Sequence, residues 1–346
     1  MKRDDAKSAF LTAAGWGSAD ISPLAGDASN RRYERLANGP GGQHAVLMDA
    51  PAERGEDISI FLAFTGLLRQ MGLSAPDVLE ADIASGFAII EDLGDALYAR
   101  VAAETPAKEM TLYEASVDLL AAMHETPPPT VAEGSGATVA IQPYDGAVLR
   151  REARLAPDWW RMGVMGEAPS DDFLAEHDAL IDAACADVEG DRSALVMRDY
   201  HAENLLWLPD RSGHCRVGLL DYQDALLGAP AYDLVSLLED ARRDTSEDLQ
   251  AAMLDRYIRT TGFSNDAFRA AYAALGAQRN LKIVGIFARL HLRDGKPAYL
   301  DLITRVWNHL QRDLAHPALR PLAEFVSQHI PAPTPDALTR IRATKV

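Results

Sequence analysis

The chain has 346 residues, 48% hydrophobic and 25% charged, a length that calls for two domains or lobes and a composition that excludes fibrous and disordered classes. Its formal net charge of −17 repels nucleic acid and anionic membrane and argues against both as partners, without identifying a substrate. Cys185 and Cys215 have no metal-ligand spacing and read as free thiols of a reducing cytoplasm. The N-terminus MKRDDAKSAF lacks the apolar run of a signal peptide, and no stretch approaches the ~18 apolar residues of a membrane span. A cytoplasmic protein is expected.

Residues 4–16 read as a helix with Ala9, Phe10 and Ala13 on one face, followed by a strand from Ile21 to Leu24. A small polar turn, Ala25 to Asn30, leads to strands at Tyr33–Ala37 and His44–Asp49, which Asn38-Gly39-Pro40-Gly41-Gly42 separates as a strong turn signal. Ile58, Phe61, Leu62, Leu68 and Met71 recur at helical spacing, and Val78–Ile83 and Phe87–Ile90 read as strands around Ser85-Gly86. The first ~90 residues thus predict a five-stranded antiparallel sheet with one packed helix. Glu91-Asp92-Leu93-Gly94 reads as a linker. A helix over 109–124 ends before Pro127-Pro128-Pro129, and 131–140 read as an exposed loop. Helical patterns follow at 145–155 and 172–187. Short apolar runs at Ala194–Met197, Leu205–Leu208 and Val217–Leu220 read as strands, the last two forming a hairpin. After Pro230 the pattern is helical, at 231–243, 246–261, 265–275, 277–293, 298–314 and 320–329.

The informative segment is Leu195-Val196-Met197-Arg198-Asp199-Tyr200-His201-Ala202-Glu203-Asn204-Leu205, with Leu219-Leu220-Asp221 downstream. Phosphoryl transfer needs in-line positioning, neutralisation of phosphate charge and a group to take the nucleophile's proton. Asp-x-x-x-x-Asn supplies Asp199 to face an acceptor hydroxyl and Asn204 to hold Mg²⁺. Asp221, after a neighbouring strand, would bridge metal and phosphates, and hard oxygen ligands of this kind suit Mg²⁺. By itself the spacing is weak. The flanking strands and hairpin strengthen it against the plain alternative of a surface loop and a structural hairpin.

These motifs resemble the aminoglycoside phosphotransferase and choline kinase superfamily over essentially the whole chain. A closer resemblance rests on Gly26-Asp27-Ala28-Ser29-Asn30-Arg31-Arg32-Tyr33, Val46-Leu47-Met48-Asp49-Ala50-Pro51, Arg198 to Leu205, Leu219 to Ala225 and Pro230 to Leu234. It is to the bacterial anomeric kinases of peptidoglycan recycling, which phosphorylate N-acetylmuramate and N-acetylglucosamine at the C1 hydroxyl. The resemblance implies an α+β, protein-kinase-like two-lobed fold. Residues 1–92 would form a small nucleotide-binding lobe, and 93–346 a larger, mainly helical lobe for catalysis and substrate. It implies an enzyme using ATP and Mg²⁺ on an amino sugar. Asp199 would be catalytic and Asn204 and Asp221 would be metal ligands. Gly26, Asp27, Ala28, Ser29 and Asn30, with Arg31 and Arg32, would lie over the phosphates, and Glu91 and Leu93 would form the hinge beside the base.

The sequence departs from the kinase pattern at the third strand, where Met48 stands near the expected phosphate-binding lysine. Arg31 or Arg32 is the candidate substitute, and both also read as solvated arginines. Glu56 or Asp57 falls near the usual ion-pairing position, with no lysine to pair. On the substrate side, His201 and Glu203 either contact sugar hydroxyls or support the loop. Arg150, Arg151, Glu152 and Arg154 precede Trp159-Trp160, a polar patch beside an aromatic pair that suits a pyranose or packs a helix end. Arg279, Asn280, Lys282 and Arg289 either receive an anionic substrate group, such as a lactyl carboxylate, or form a solvated face. His124 reads as structural.

Overall fold

The computed structural model describes residues 3–24 and 30–344. Gly26, Asp27, Ala28 and Ser29 lie outside the described residues. The chain groups into two compact units. The first is Met1–Ala115, Pro129–Ile141 and Glu203–Ala225, and the second is Ser116–Pro128, Gln142–Ala202 and Leu226–Val346. The first therefore runs on past residue 92 to Ala115 and adds two separate stretches of later chain.

The first elements are α1 (Arg3–Ala13), β1 (Asp20–Pro23), β2 (Arg32–Ala37), β3 (Ala45–Asp49), α2 (Ile58–Gln70), β4 (Val78–Asp82) and β5 (Phe87–Glu91). Next come α3 (Tyr98–Glu104), α4 (Glu109–Met123), β6 (Val131–Gly134), β7 (Ala137–Ala140) and α5 (Gly146–Ala153). A π-helical turn at Ala156–Arg161 leads to α6 (Met162–Met165), α7 (Asp171–Cys185), β8 (Ala194–Val196), β9 (Leu205–Trp207), β10 (Val217–Leu219) and β11 (Leu226–Gly228). The helices α8 (Ala231–Leu238), α9 (Glu247–Thr261), α10 (Asn265–Leu292), α11 (Ile303–Leu314), α12 (Arg320–His329) and α13 (Pro335–Ala343) complete the described chain.

In the first unit the expected five-stranded antiparallel sheet is present, in the order β1-β2-β3-β5-β4. Phe10, Leu11 and Trp16 pack on its inward residues Leu36, Ala45, Leu47, Phe87 and Ile89. Asp57 caps α2 by accepting the Ser59 N–H at 2.9 Å. Residues 131–140 are not the expected loop. They form the hairpin β6–β7, closed by Ser135 and Gly136, both at positive φ, the geometry that a two-residue turn between twisted strands requires. The hairpin lies against α2 so closely that a Cβ at Gly134 would meet Leu62 O at 2.4 Å, and one at Gly66 would meet Glu133 O at 2.3 Å. The β9–β10 hairpin is anchored where Leu219 N–H donates to Ser74 O (2.9 Å) and Trp207 N–H to Ala96 O (2.8 Å).

In the second unit β8 pairs antiparallel with β11, a strand too short to show in the sequence. The expected helices 265–275 and 277–293 are one, α10, buried along most of its length. Gly276 does not break it. There a Cβ would meet the Asp313 carboxylate at 2.6 Å, so the glycine serves close approach. The helices α3 and α13 were likewise not anticipated. No helix among the described residues is long and apolar enough to cross a membrane.

Candidate active site

In the first unit, Asn204 and Asp221 sit at one end of the β9–β10 ladder. The register pairs Leu205 with Leu219, and Asn204 O accepts the Leu220 N–H at 3.0 Å. Both side chains are thus carried on adjacent chain ends of one hairpin. Asp221 has φ +55°, the left-handed region that a non-glycine enters at a cost of about 1–3 kcal/mol. The next residue holds it there. Tyr222 is buried, stacks on Phe61 at 5.7 Å and lies 2.7 Å from Thr65 Oγ1. The Thr65 hydroxyl already donates to Phe61 O, so Tyr222 donates to Thr65. Gln223 Nε2 donates to Asp221 Oδ1 at 2.8 Å and fixes the carboxylate's rotation.

Arg31 and Arg32 differ in surroundings. The Arg31 guanidinium lies 3.6 Å from Asp221 and 3.5 Å from Glu56, whereas Arg32 is exposed at the start of β2. Glu56 also accepts the Asn30 N–H at 3.0 Å, and Asn30 Nδ2 donates to Arg54 O. Glu56, for which the sequence showed no lysine partner, thus pairs with an arginine beside Asp221. Met48 is fully buried in β3 and belongs to the core. At the linker, the Glu91 carboxylate accepts from Arg211 at 2.5 Å, while Leu93 is half-buried. Asp92 and Asp95 clasp Arg35, at 2.7 and 2.8 Å.

In the second unit, Asp199 follows Arg198, another non-glycine residue at positive φ (+70°). The Asp233 carboxylate accepts the N–H groups of Met197 (2.6 Å) and Arg198 (2.8 Å). The Ser236 hydroxyl donates to Arg198 O at 3.1 Å and accepts from Arg279 at 2.8 Å. Asp199 N–H turns back to Met197 O at 2.8 Å, and Asp199 O accepts the His201 N–H at 3.1 Å. Burial opposes ionisation of Asp199, but the cations Lys282, Arg279 and Arg198 outweigh it and hold the carboxyl below its usual range. Burial pushes His201 down, so its ring is neutral near pH 7. Arg242 stands 3.4 Å from its Nε2, which makes that nitrogen the acceptor and places the proton on Nδ1.

The substrate-side candidates separate by environment. Glu203 is exposed in the first unit. Trp160 is fully buried and donates to Pro331 O, whereas Trp159 is half-buried. Arg150 and Arg154 pair with Asp182 and Asp178 on α7. Arg279, Asn280 and Lys282 are buried in α10 and are not a solvated face. Glu152, only 7% exposed, is paired with Arg198 and Lys282 and accepts the Tyr144 hydroxyl. Sequence reasoning assigned no role to Asp233. The available signal was a single carboxylate among the apolar residues of Ala231-Tyr232-Asp233-Leu234-Val235, all buried in α8.

Residues 20–276 match the family described as the phosphotransferase enzyme family. A relative from Caulobacter vibrioides named N-acetylmuramate/N-acetylglucosamine kinase is 41% identical, over 96% of this chain and 98% of its own. A relative of the same name from Pseudomonas aeruginosa is 34% identical over 92% of each chain. Among solved structures, choline kinase from Cryptosporidium parvum shares the fold at 11% identity, with a TM-score of 0.58 over 94% of this chain and 99% of that one. The match spans the β9–β10 hairpin, the Arg198–Asp199 turn and the helix that carries Asp233, and on it the chain belongs to the phosphotransferase enzyme family.

Proposed function

We propose that the protein transfers the γ-phosphoryl group of ATP to the anomeric C1 hydroxyl of N-acetylmuramate and N-acetylglucosamine. The products are sugar 1-phosphates for cell-wall recycling in the cytoplasm. The observation that carries this reading is the name shared by two relatives that match nearly the whole chain, at 41% and 34% identity. The loop chemistry supports it. Asp199, ionised at neutral pH, accepts the hydrogen bond of the acceptor hydroxyl and orients its oxygen toward phosphorus. A carboxylate of lowered pKa is a weak base. That suffices, because little charge builds on the nucleophile in a loose phosphoryl-transfer transition state.

The donor set fits a magnesium–nucleotide pair. Asn204 and Asp221 offer hard oxygens at one hairpin end, and no group of three or more His, Cys, Asp or Glu side chains among the described residues forms a metal cage. This is the pattern of Mg²⁺ held by one or two protein oxygens together with phosphates. Bound there, Mg²⁺–ATP would supply the phosphoryl group and neutralise its charge. Arg31 would take a phosphate oxygen, and Asn30 would continue the phosphate side. Because the Glu91 carboxylate is engaged by Arg211, Glu91 and Leu93 would meet the base through main-chain atoms. Trp159, His201 and Glu203 are proposed to face the sugar.

Phosphorus-31 NMR of the product from each sugar tests the reading. A phosphorus resonance coupled to the anomeric proton is expected. Coupling to the C6 methylene protons, or turnover only with aminoglycoside, choline or homoserine, overturns it.

A further inference from the structure

We propose that Glu152, braced by Lys282 and Tyr144, is a positioning residue that holds the left-handed Arg198 turn and thereby aims Asp199. The proposal rests on Asp199 being the residue that takes the acceptor's proton.

Arg198 is held at both its backbone and its side chain. Its N–H donates to Asp233, its carbonyl accepts from Ser236, and its guanidinium pairs with Glu152. The backbone contacts fix the position of the turn but leave its side chain free to rotate. The Glu152 carboxylate restrains that side chain, and it reaches Arg198 from α5, 46 residues away. Glu152 is itself held by Lys282 Nζ at 3.1 Å and by the Tyr144 hydroxyl, and Lys282 lies 3.2 Å from Tyr232. Tyr144 and Tyr232 pack edge to face at 4.8 Å and wall the group.

The charges fit a positioning role. Burial opposes charge on Glu152, but Lys282 and Arg198 hold its carboxyl below the usual range. Burial likewise opposes charge on Lys282, and Tyr232 and Glu152 raise it nonetheless. Burial pushes the Tyr144 phenol well above its ordinary value, so it remains a donor. Two cations and one anion leave one excess positive charge beside the Asp199 carboxylate. A buried triad of this kind contributes little net stability, because desolvation offsets the attraction. What it can supply is a fixed geometry and a fixed field at the next residue.

A substrate contact and a positioning contact separate in steady-state kinetics. Glu152→Gln is expected to lower kcat about tenfold or more, with the N-acetylmuramate KM within about twofold of wild type, since small misplacement of a reacting group is costly. Lys282→Met is expected to move the acid limb of the kcat profile to higher pH, because a cation that keeps Asp199 ionised is gone. A raised acceptor KM with wild-type kcat for Glu152→Gln, or an unmoved acid limb for Lys282→Met, overturns the proposal. If Glu152→Gln fails to fold, Tyr144→Phe removes one hydrogen bond to the same carboxylate. It should cost about two- to fivefold in kcat at unchanged KM, and wild-type kcat overturns the proposal. Asp199→Asn run in parallel tells the two readings apart. An active Asp199→Asn removes the assignment on which the proposal rests, whereas an inactive one beside a Glu152→Gln that changes only KM removes the proposal alone.

Discussion

Arg279 is buried at 4% exposure, donates once to Ser236, and leaves Nη1 without a hydrogen-bond partner among the described residues. A buried donor without an acceptor is costly, so an arginine in this state suits an anion brought by the substrate. N-acetylmuramate carries a carboxylate and N-acetylglucosamine does not. Arg279→Ala is therefore expected to raise KM for N-acetylmuramate about fivefold or more beyond any rise for N-acetylglucosamine, the range of a charge-assisted hydrogen bond. The ratio of the two KM values isolates that effect from loss of the Ser236 contact, which acts on both substrates alike. Equal rises would remove the assignment. At this scale the sequence was informative where chemistry is local. Asp199 and Asn204 stand five residues apart on one loop and are legible as a pattern. The pairing of Glu152 was not legible, because its partners Arg198 and Lys282 lie 46 and 130 residues away, and before Trp159-Trp160 it read as part of a charged patch suited to a pyranose. Which of Arg31 and Arg32 would pair with Glu56 and Asp221 was not legible, since both carboxylates come to Arg31 through the fold.

Elements were predicted well where a single periodicity ran long enough to dominate. The helix α2 is of this kind, whereas the short strands β1 to β5 were marked off by the turn residues around them, such as Asn38-Gly39-Pro40-Gly41-Gly42 and Ser85-Gly86. The misses have physical causes. Residues 131–140 read as a loop because two four-residue strands around Ser135-Gly136 are too short for alternation to show. Their stability comes from α2, which meets them through Gly66 and Gly134. The long α10 was split at Gly276 because a glycine within a helical pattern reads as a break, whereas here it admits the Asp313 carboxylate. The α2–hairpin contact yields a prediction. Gly134→Ala places a Cβ 2.4 Å from Leu62 O and must push the hairpin off α2, at about 1–3 kcal/mol for overpacking. The melting temperature should fall by several degrees, and because α2 also carries the Phe61 and Thr65 contacts to Tyr222, the KM for ATP should rise. An unchanged melting temperature would show that the contact yields without strain.

Over the whole molecule, acidity and burial meet in the pH dependence of stability. Asp233 is buried and pushed up to about 7 by that burial, although the N–H groups of Met197 and Arg198 partly offset it. Burial likewise raises Glu239 and Asp313, two buried carboxyls that Asn280 Nδ2 bridges at 2.6 and 2.9 Å. Each lies above its ordinary value, so the folded chain binds more protons than the unfolded one between about pH 4 and the raised value. Stability from these groups is full below about pH 4 and is lost as pH rises, through about pH 7 for Asp233. Asp199 and Glu152 act in the opposite sense, since their lowered values give stability that is lost only as pH falls through them. Across pH 5.5 to 8.5 the raised group dominates, and the melting temperature should decline by several degrees, on the order of the shift that a few kcal/mol produces in a chain of this size. Asp313→Asn removes one buried charge while its amide oxygen can still accept from Asn280. The variant should show a flatter decline and melt higher than wild type at the alkaline end. A wild-type slope in the variant would mean that the Glu239–Asp313 pair shares no proton across this range. The formal charge of −17 adds self-repulsion that is already complete near neutrality. Added salt should therefore raise the melting temperature without changing the slope that Asp313→Asn removes, because exposed charges are screened and the buried pair is not.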